Sequence, residues 1–427
     1  MNVTMKKHKK GLAWKIPLCV LCVILAGVIA VGGTVAVQGI SGWHKWEDWQ
    51  EEHIQALEDA QKSAAPLTEA QAFAAERART GVDVAKAIQD GVKFNQLRGI
   101  ITHNSYKQQM PPVSSLIFNS LYRFGVGRKA EFEYTFQPLS DQLNSGVMGL
   151  ELDVSYTKEK DGLARFLFCH APLIDMNSSA IDAAAAFREI ALWSQAHPKH
   201  LPIVLLLEPK DISIPPFKLY GMDDGHLADF DRIVRENLGE ALLMPAEMLG
   251  GYSDFAAMRK ADGWLPLEKT LGKVIALLHP GHVTDAYFAL DGTLRTQAMF
   301  PALGRNEWEN PQASFVLVND PKEAYDNRAK LIEEQNLIVR SRLDSYPDYT
   351  PEEYKLCMES GAQWMSSDYP IPWGEDPNGT GQPLWHFTID ADGSVKGITF
   401  GGKEEHATKP GPGYCAAFSD GGLASVK

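Results

Sequence analysis

The sequence predicts an α/β protein built on a TIM-like (β/α)8 barrel, with an N-terminal membrane helix, a helical lead-in and a small C-terminal β appendage. From about residue 95, short apolar runs alternate with helix-like spans, the pattern of a parallel sheet covered by helices. Eight such runs fit within about 280 residues, the length of one barrel. Polar residues able to do chemistry follow the runs directly, as they do at the carboxyl ends of barrel strands.

A chain of 427 residues with 44% hydrophobic and 22% charged content can bury a full-sized core. Its net charge of −13 argues against nucleic acid as a partner, and against unaided attraction to an anionic bilayer. Charge is uneven, however. Residues 1–15 carry Lys6, Lys7, Lys9, Lys10 and Lys15, and no acid precedes Glu47, so this stretch reads as a basic cytoplasmic flank. Residues 16–37 hold no charge, and these 22 residues reach about 33 Å as a helix, the thickness of a hydrocarbon core. Residues 16–40 therefore read as a single transmembrane signal anchor with everything beyond them outside the cytoplasm. The alternative is a cleaved signal peptide and a secreted product, because TVAVQG offers small residues for a peptidase.

Cys19 and Cys22 lie inside the apolar run, leaving Cys169, Cys357 and Cys415. Their odd number and wide spacing exclude a zinc cluster and a dense disulfide framework, with one bridge left open. Residues 41–92 read as a helical stalk or lead-in. Trp43, Trp46 and Trp49 recur every three residues, suited either to interfacial anchoring or to packing on a neighbouring helix. After Pro66 a second helix starts, with Thr68 as cap and Glu69 in its first turn.

The barrel is assigned to residues 93–372. Its strands are expected at 97–102, 147–154, 165–168, 203–207, 273–278, 314–318, 337–341 and 363–367, several of them apolar throughout. Residues 373–427 form a Gly- and Pro-rich tail in which WHFTIDADGSVKGITF reads as a hairpin turning at Asp392-Gly393.

Glu151 and Asp153 lie two apart on a strand, so both project from one face, and a buried face accepts two carboxylates only with compensation. A cation supplies it. With Glu208 and the amide oxygen of Asn104 they make a hard oxygen set, suited to Ca²⁺ or Mg²⁺ rather than to zinc or copper. His103 and His170 follow neighbouring runs, where one imidazole can take a proton from an attacking hydroxyl while the other donates to the departing oxygen. A metal between them acidifies a coordinated hydroxyl and neutralises phosphoryl charge. These are the parts that cleavage of a phosphodiester requires. Arg340 and Arg342 alternate on one strand, able to grip phosphate or to form ordinary ion pairs. Asp368, at the last strand end, is a candidate to orient a histidine or shape a headgroup pocket, or a structural turn. His279 and His282 read as loop residues.

THNSY (102–106), LELDV (150–154), FCHAP (168–172) and LLLEPK (205–210), in this order, resemble the barrel motifs of phosphoinositide-specific phospholipase C. The likeness is strongest to the bacterial, calcium-dependent branch and continues through WLPLEKTLGKVIALL, ASFVLVNDP, NLIVRSRLD and AQWMSSDYP, spanning residues 95–370. The resemblance implies His103 and His170 as the catalytic histidines. It implies Asn104, Glu151, Asp153 and Glu208 as Ca²⁺ ligands, and Lys210 as a phosphate or headgroup contact. It also implies a membrane phospholipid substrate, phosphatidylinositol, yielding diacylglycerol and an inositol phosphate. The loop KQQMPPVSSLIFNSLYRFGVGRKAEFEY (107–134), the segment HPGH (279–282) and the tail around GPGYCAAFSDGG match nothing in that pattern.

Two other readings stand beside it. One is hydrolysis of a glycerophosphodiester or of a phospholipid with another headgroup: glycerophosphodiester phosphodiesterases share paired histidines and a Glu-x-Asp step, but resemble His-Arg-Gly where this chain has His103-Asn104-Ser105. A catalytically inactive, membrane-anchored module that binds lipid headgroups is the reading from a different class; retention of both histidines and all the ligands argues against it.

Overall fold

The computed structural model describes residues 15–123, 135–159, 162–343 and 351–367, and short strands between residues 388 and 426. In chain order the strands of the main body are β1 (Leu97–Thr102), β2 (Gly149–Lys158), β3 (Ala164–Phe168), β4 (Ile203–Pro209), β5 (Leu219–Gly221), β6 (Val274–Leu278), β7 (Phe300–Gly304), β8 (Phe315–Leu317), β9 (Ile338–Arg342) and β10 (Trp364–Ser367). Eight of them pair in parallel in the order β1-β10-β9-β8-β7-β6-β4-β2. Ile101 opposite Gly149 and Thr102 opposite Leu150 then join β1 to β2 and close the ring.

Strands covered on both faces need apolar residues throughout. The runs IVLLL of β4 and VIALL of β6 meet that need and are buried along their length. Below them, at the amino-terminal end of the barrel, Phe94, Trp264, Phe315 and Trp364 pack at tilted and edge-to-face angles with ring centroids 6.0 to 6.3 Å apart. This aromatic floor leaves the carboxyl ends of the strands as the place where polar side chains gather.

Two expected strands differ. Residues 165–168 belong to β3, which is not a barrel strand but an antiparallel arm on β2, pairing Val154 with Phe168 and Lys158 with Ala164. Only residues 159–163, containing Asp161-Gly162, separate the two strands, too short a link for the crossover that parallel neighbours need. The eighth barrel strand is instead β7, whose Pro301 masks it in the sequence. It pairs with β6 only through Leu277–Phe300 and Leu278–Pro301, so one proline at this short ladder is tolerated.

The helix α1 (Lys15–Ser63) runs unbroken through residue 40, where the anchor was expected to give way to the lead-in. Among the described residues no helix is long and apolar enough to cross a membrane. The side chains of residues 15–30, which make up most of the apolar run, lie outside that description. Helix α2 (Glu69–Thr80) begins at Thr68 with a reciprocal capping box to Gln71, as the sequence predicts. With α3 (Val84–Gln89) it buries Ala72, Val84 and Ala87. After β1 comes α4 (Pro112–Arg123), then α5 (Leu139–Asn144), and α6 (Ala183–Ala196) follows β3.

The second half of α1 packs on the barrel instead of standing away from it. Trp43 packs against the cluster of Leu167, Met176 and Leu219, while Trp49 stacks on His53 at 4.8 Å. Gln50 bonds both backbone groups of Asp182, accepting from its N–H at 2.8 Å and donating to its carbonyl at 3.1 Å. His53 Nε2 lies 3.2 Å from Glu189 of α6 and 3.2 Å from Ser140 of α5. Packing is therefore the role of Trp43.

The tail strands are β11 (Thr388–Ile389), β12 (Val395–Phe400), β13 (Lys403–Thr408), β14 (Tyr414–Ser419) and β15 (Gly422–Val426). β11 and β12 form the expected antiparallel hairpin, with Asp392-Gly393 outside the described residues. β14 lies parallel to β1, setting Leu97 opposite Tyr414.

Candidate active site

At the end of β1 the chain turns over the rim through His103 and Asn104. Asn104 is left-handed, with φ 50°, a conformation asparagine tolerates better than most residues. Ser105 fixes this turn. Its N–H donates to the Glu151 carbonyl at 2.9 Å, and its Oγ accepts from the Glu151 N–H at 2.8 Å and lies 2.6 Å from Thr102 Oγ1. The first motif is thereby stitched to the strand that carries Glu151.

Glu151 and Asp153 point to one side of β2, as their spacing predicts, and Glu208 lies opposite Asp153 in register on β4. Oxygen atoms of the three carboxylates lie within 4.8 Å of one another, those of Glu151 and Asp153 buried. Lys210 Nζ sits 2.8 Å from both Asp153 Oδ2 and Glu208 Oε1. Arg340 ion-pairs with Glu151, bonds Asn319, and donates to Ser366 Oγ at 2.9 Å. Among the described residues Lys210 and Arg340 make the shortest ion pairs to the three carboxylates, and His103 and Arg342 act on Glu151 from farther off.

Burial works against ionisation of Glu151, but the Arg340 guanidinium, helped by His103 and His279, holds its carboxyl down to about 2. Burial pushes the Asp153 carboxyl up, and neighbouring Glu208 adds to this against the opposing Lys210 ammonium. For Lys210, burial disfavours the charge, yet the two acids keep its amine well above the ordinary range. Three converging carboxylates that offer only oxygen donors fit a hard divalent cation.

The histidines flank this cluster. His103 Nε2 lies 3.8 Å from Glu151 Oε1 and 3.5 Å from Arg342 Nη2. His170 lies just beyond β3, on a loop and not at the mouth of its own barrel strand, close enough to Asp153 to favour ionisation of that carboxyl. Its Nδ1 is 2.9 Å from Asp175 Oδ2, so the ring hydrogen is assigned to Nδ1. Burial opposes ionisation of Asp175, but the Lys107 ammonium at 2.9 Å and the His170 ring hold its carboxyl below the usual range.

Every predicted site residue except Asp368, which lies outside the described residues, is therefore at this rim. Arg340 was read as a phosphate grip or ion-pair former and is an ion-pair partner of Glu151; Arg342 stands beside His103. Sequence reasoning missed Lys107 and Asp175, one immediately after THNSY and the other five residues after His170. It also left His279 as a loop residue, although its imidazole lies close enough to Glu151 and Glu208 to favour ionisation of both. Cys169 is a buried thiol pushed up to about 12, by burial first and then by Asp153 and Asp175, so it is inert as a nucleophile.

A closed parallel barrel with paired histidines around an oxygen-ligand cluster at its carboxyl rim has the architecture of a metal-assisted phosphodiesterase. The family model described as phosphoinositide phospholipase C, Ca²⁺-dependent, matches residues 92–167 and 157–379, and the chain belongs to that family. It is thus a phosphodiesterase of a calcium-dependent family acting on phosphoinositides. Among similar solved structures is a Ca²⁺-dependent phosphatidylinositol-specific phospholipase C from Streptomyces antibioticus, 20% identical, covering 65% of this chain and 95% of that one with a TM-score of 0.45. A calcium-dependent phosphoinositol-specific phospholipase C from Pseudomonas sp. is 16% identical, covering 65% and 91% with a TM-score of 0.44. A putative glycerophosphodiester phosphodiesterase from Galdieria sulphuraria is 12% identical, covering 64% and 95% with a TM-score of 0.33. No curated protein matches the chain.

Proposed function

We propose that this enzyme cleaves phosphatidylinositol to diacylglycerol and an inositol phosphate, with His103 and His170 dividing the general-base and general-acid roles. The observation that carries the reading is the convergence of Glu151, Asp153 and Glu208 between two imidazoles. With Asn104 these carboxylates would hold Ca²⁺, which when bound neutralises phosphoryl charge and acidifies a coordinated hydroxyl. Arg342, beside His103, and Lys210 supply positive charge for the phosphodiester. One histidine takes the proton of the inositol 2-hydroxyl as its oxygen bonds to phosphorus; the other protonates the glycerol oxygen as the P–O bond breaks. The first product is then a cyclic inositol phosphate. Asp175 keeps His170 in the tautomer with hydrogen on Nδ1 and stabilises it when protonated.

We further propose that residues 16–40 anchor the enzyme in the membrane with the barrel outside the cytoplasm. The uncharged run and its lysine-rich flank support this.

The test is turnover of phosphatidylinositol vesicles by the full chain, with calcium or excess chelator, products followed by phosphorus NMR. A cyclic phosphate formed only with calcium is expected. Faster turnover of glycerophosphodiesters without a cyclic product would transfer the substrate to that class, and unchanged turnover in chelator would remove the metal from the chemistry.

A further inference from the structure

Two glycines of α1 sit against the loop that holds His170. A Cβ built on Gly39 would lie 2.4 Å from the Leu173 carbonyl oxygen, and one on Gly42 would lie 2.3 Å from Asn177 Oδ1. At Gly39 the obstacle is backbone, so only glycine allows the helix this close there, whereas at Gly42 the Asn177 side chain could turn aside. Leu173 is itself left-handed, with φ 67°, a conformation that costs a bulky residue energy and persists only where its surroundings enforce it. On the far side of this strained residue, Ala171 and Asp175 pair through their backbones, and Asp175 reaches His170 Nδ1 at 2.9 Å and buried Lys107. The loop is thus held between α1 and the turn that follows β1. Further along α1, Glu47 pairs with Arg165, and Gln50 clasps Asp182, where the same loop enters α6.

We propose that residues 39–50 of α1 are a positioning strut for catalysis. By seating its glycine backbone on Leu173, the helix holds Asp175 against His170 and so fixes the imidazole toward the reacting phosphodiester. The inference rests on His170 being an acid–base group. It assigns α1 a second role beside attachment: movement of the helix along its seat shifts the active site, so a force applied to the amino-terminal segment alters turnover.

The test uses the full chain in detergent with a short-chain phosphatidylinositol below its micellar concentration, so that membrane docking does not enter the rate. Gly39→Ala is expected to lower kcat about 10- to 100-fold with KM within about twofold, the scale of a small misplacement of a reacting group. Gly32→Ala serves as control, since nothing lies within 4 Å of its added Cβ, and should be unchanged. Because the strut acts through Asp175, Gly39→Ala should add little to the loss already caused by Asp175→Asn. Gln50→Ala, which removes the clasp without adding bulk, gives a smaller loss in the same direction and serves if Gly39→Ala does not fold. Wild-type kcat and pH profile in both Gly39→Ala and Gln50→Ala, with His170→Ala inactive, would overturn the strut alone. Full turnover by His170→Ala would instead sink the reading of the site on which the strut rests.

Discussion

The two ends of the barrel both bury charge, and they do so in opposite ways. At the amino-terminal end, Glu76 and Arg79 pair bidentately at 2.7 Å. Arg79 also donates to the carbonyls of Leu143 and Val147, while Glu76 accepts from the Leu201 N–H at 2.8 Å. Nearby, His200 is neutral, its Nδ1 donating to the Leu201 carbonyl and its Nε2 accepting from Ser194. Within the Glu76–Arg79 pair opposite charges match one to one. At the carboxyl end, three carboxylates crowd within 4.8 Å of one another, and burial pushes Asp153 up. A buried pair of opposite charges is architecture; crowded like charges are a site for a counter-ion.

Substitutions at the two ends should therefore separate activity from stability. His103→Ala and His170→Ala are each expected to lower kcat by about 10²- to 10⁴-fold with little change in Tm, measured by turnover beside calorimetry. Unfolding of either variant would erase the contrast. Glu76→Gln is the reverse case: Arg79 keeps its burial and loses its counter-charge, costing about 3–5 kcal/mol in denaturant unfolding while kcat of the folded fraction is unchanged. Calcium sharpens the comparison from the other side. At 100 times its Kd it should stabilise the chain by about 2.7 kcal/mol, and Glu208→Gln should abolish most of that gain whereas Glu76→Gln should leave it intact.

Taken per pH unit, the smallest effect is that of acid. Burial lowers His200 from 6.5 to about 3, so below pH 6.5 the unfolded chain binds the extra proton and the folded chain does not. Stability is then complete above pH 6.5 and falls by about 1.4 kcal/mol per unit as pH drops toward 3. His200→Gln should flatten this part of the unfolding profile, and an unchanged slope would assign it elsewhere.

What could be read in the sequence was local. Alternation on β2 told which way Glu151 and Asp153 point, and continuous apolar runs gave β4 and β6. Thr68 announced α2 through its own capping chemistry. Arg340 meets Glu151 across 189 positions, a pairing that barrel closure creates and no local pattern announces. β7 was hidden by its proline, and β3 looked like a barrel strand because a buried hairpin arm is as apolar as one. Asp175 sits in an irregular loop without periodicity, so its partnership with His170 emerged only from the folded chain.

The direction of α1 has a consequence for where substrate comes from. It touches the rim loop at Gly39 and descends along α6 through His53, so its amino-terminal part continues past the mouth and not past the aromatic floor. With the uncharged run embedded in a bilayer, the mouth would open toward that same sheet of lipid. Headgroups would then arrive by lateral diffusion in two dimensions, and each enzyme would graze a patch around its tether rather than sample lipids of other vesicles.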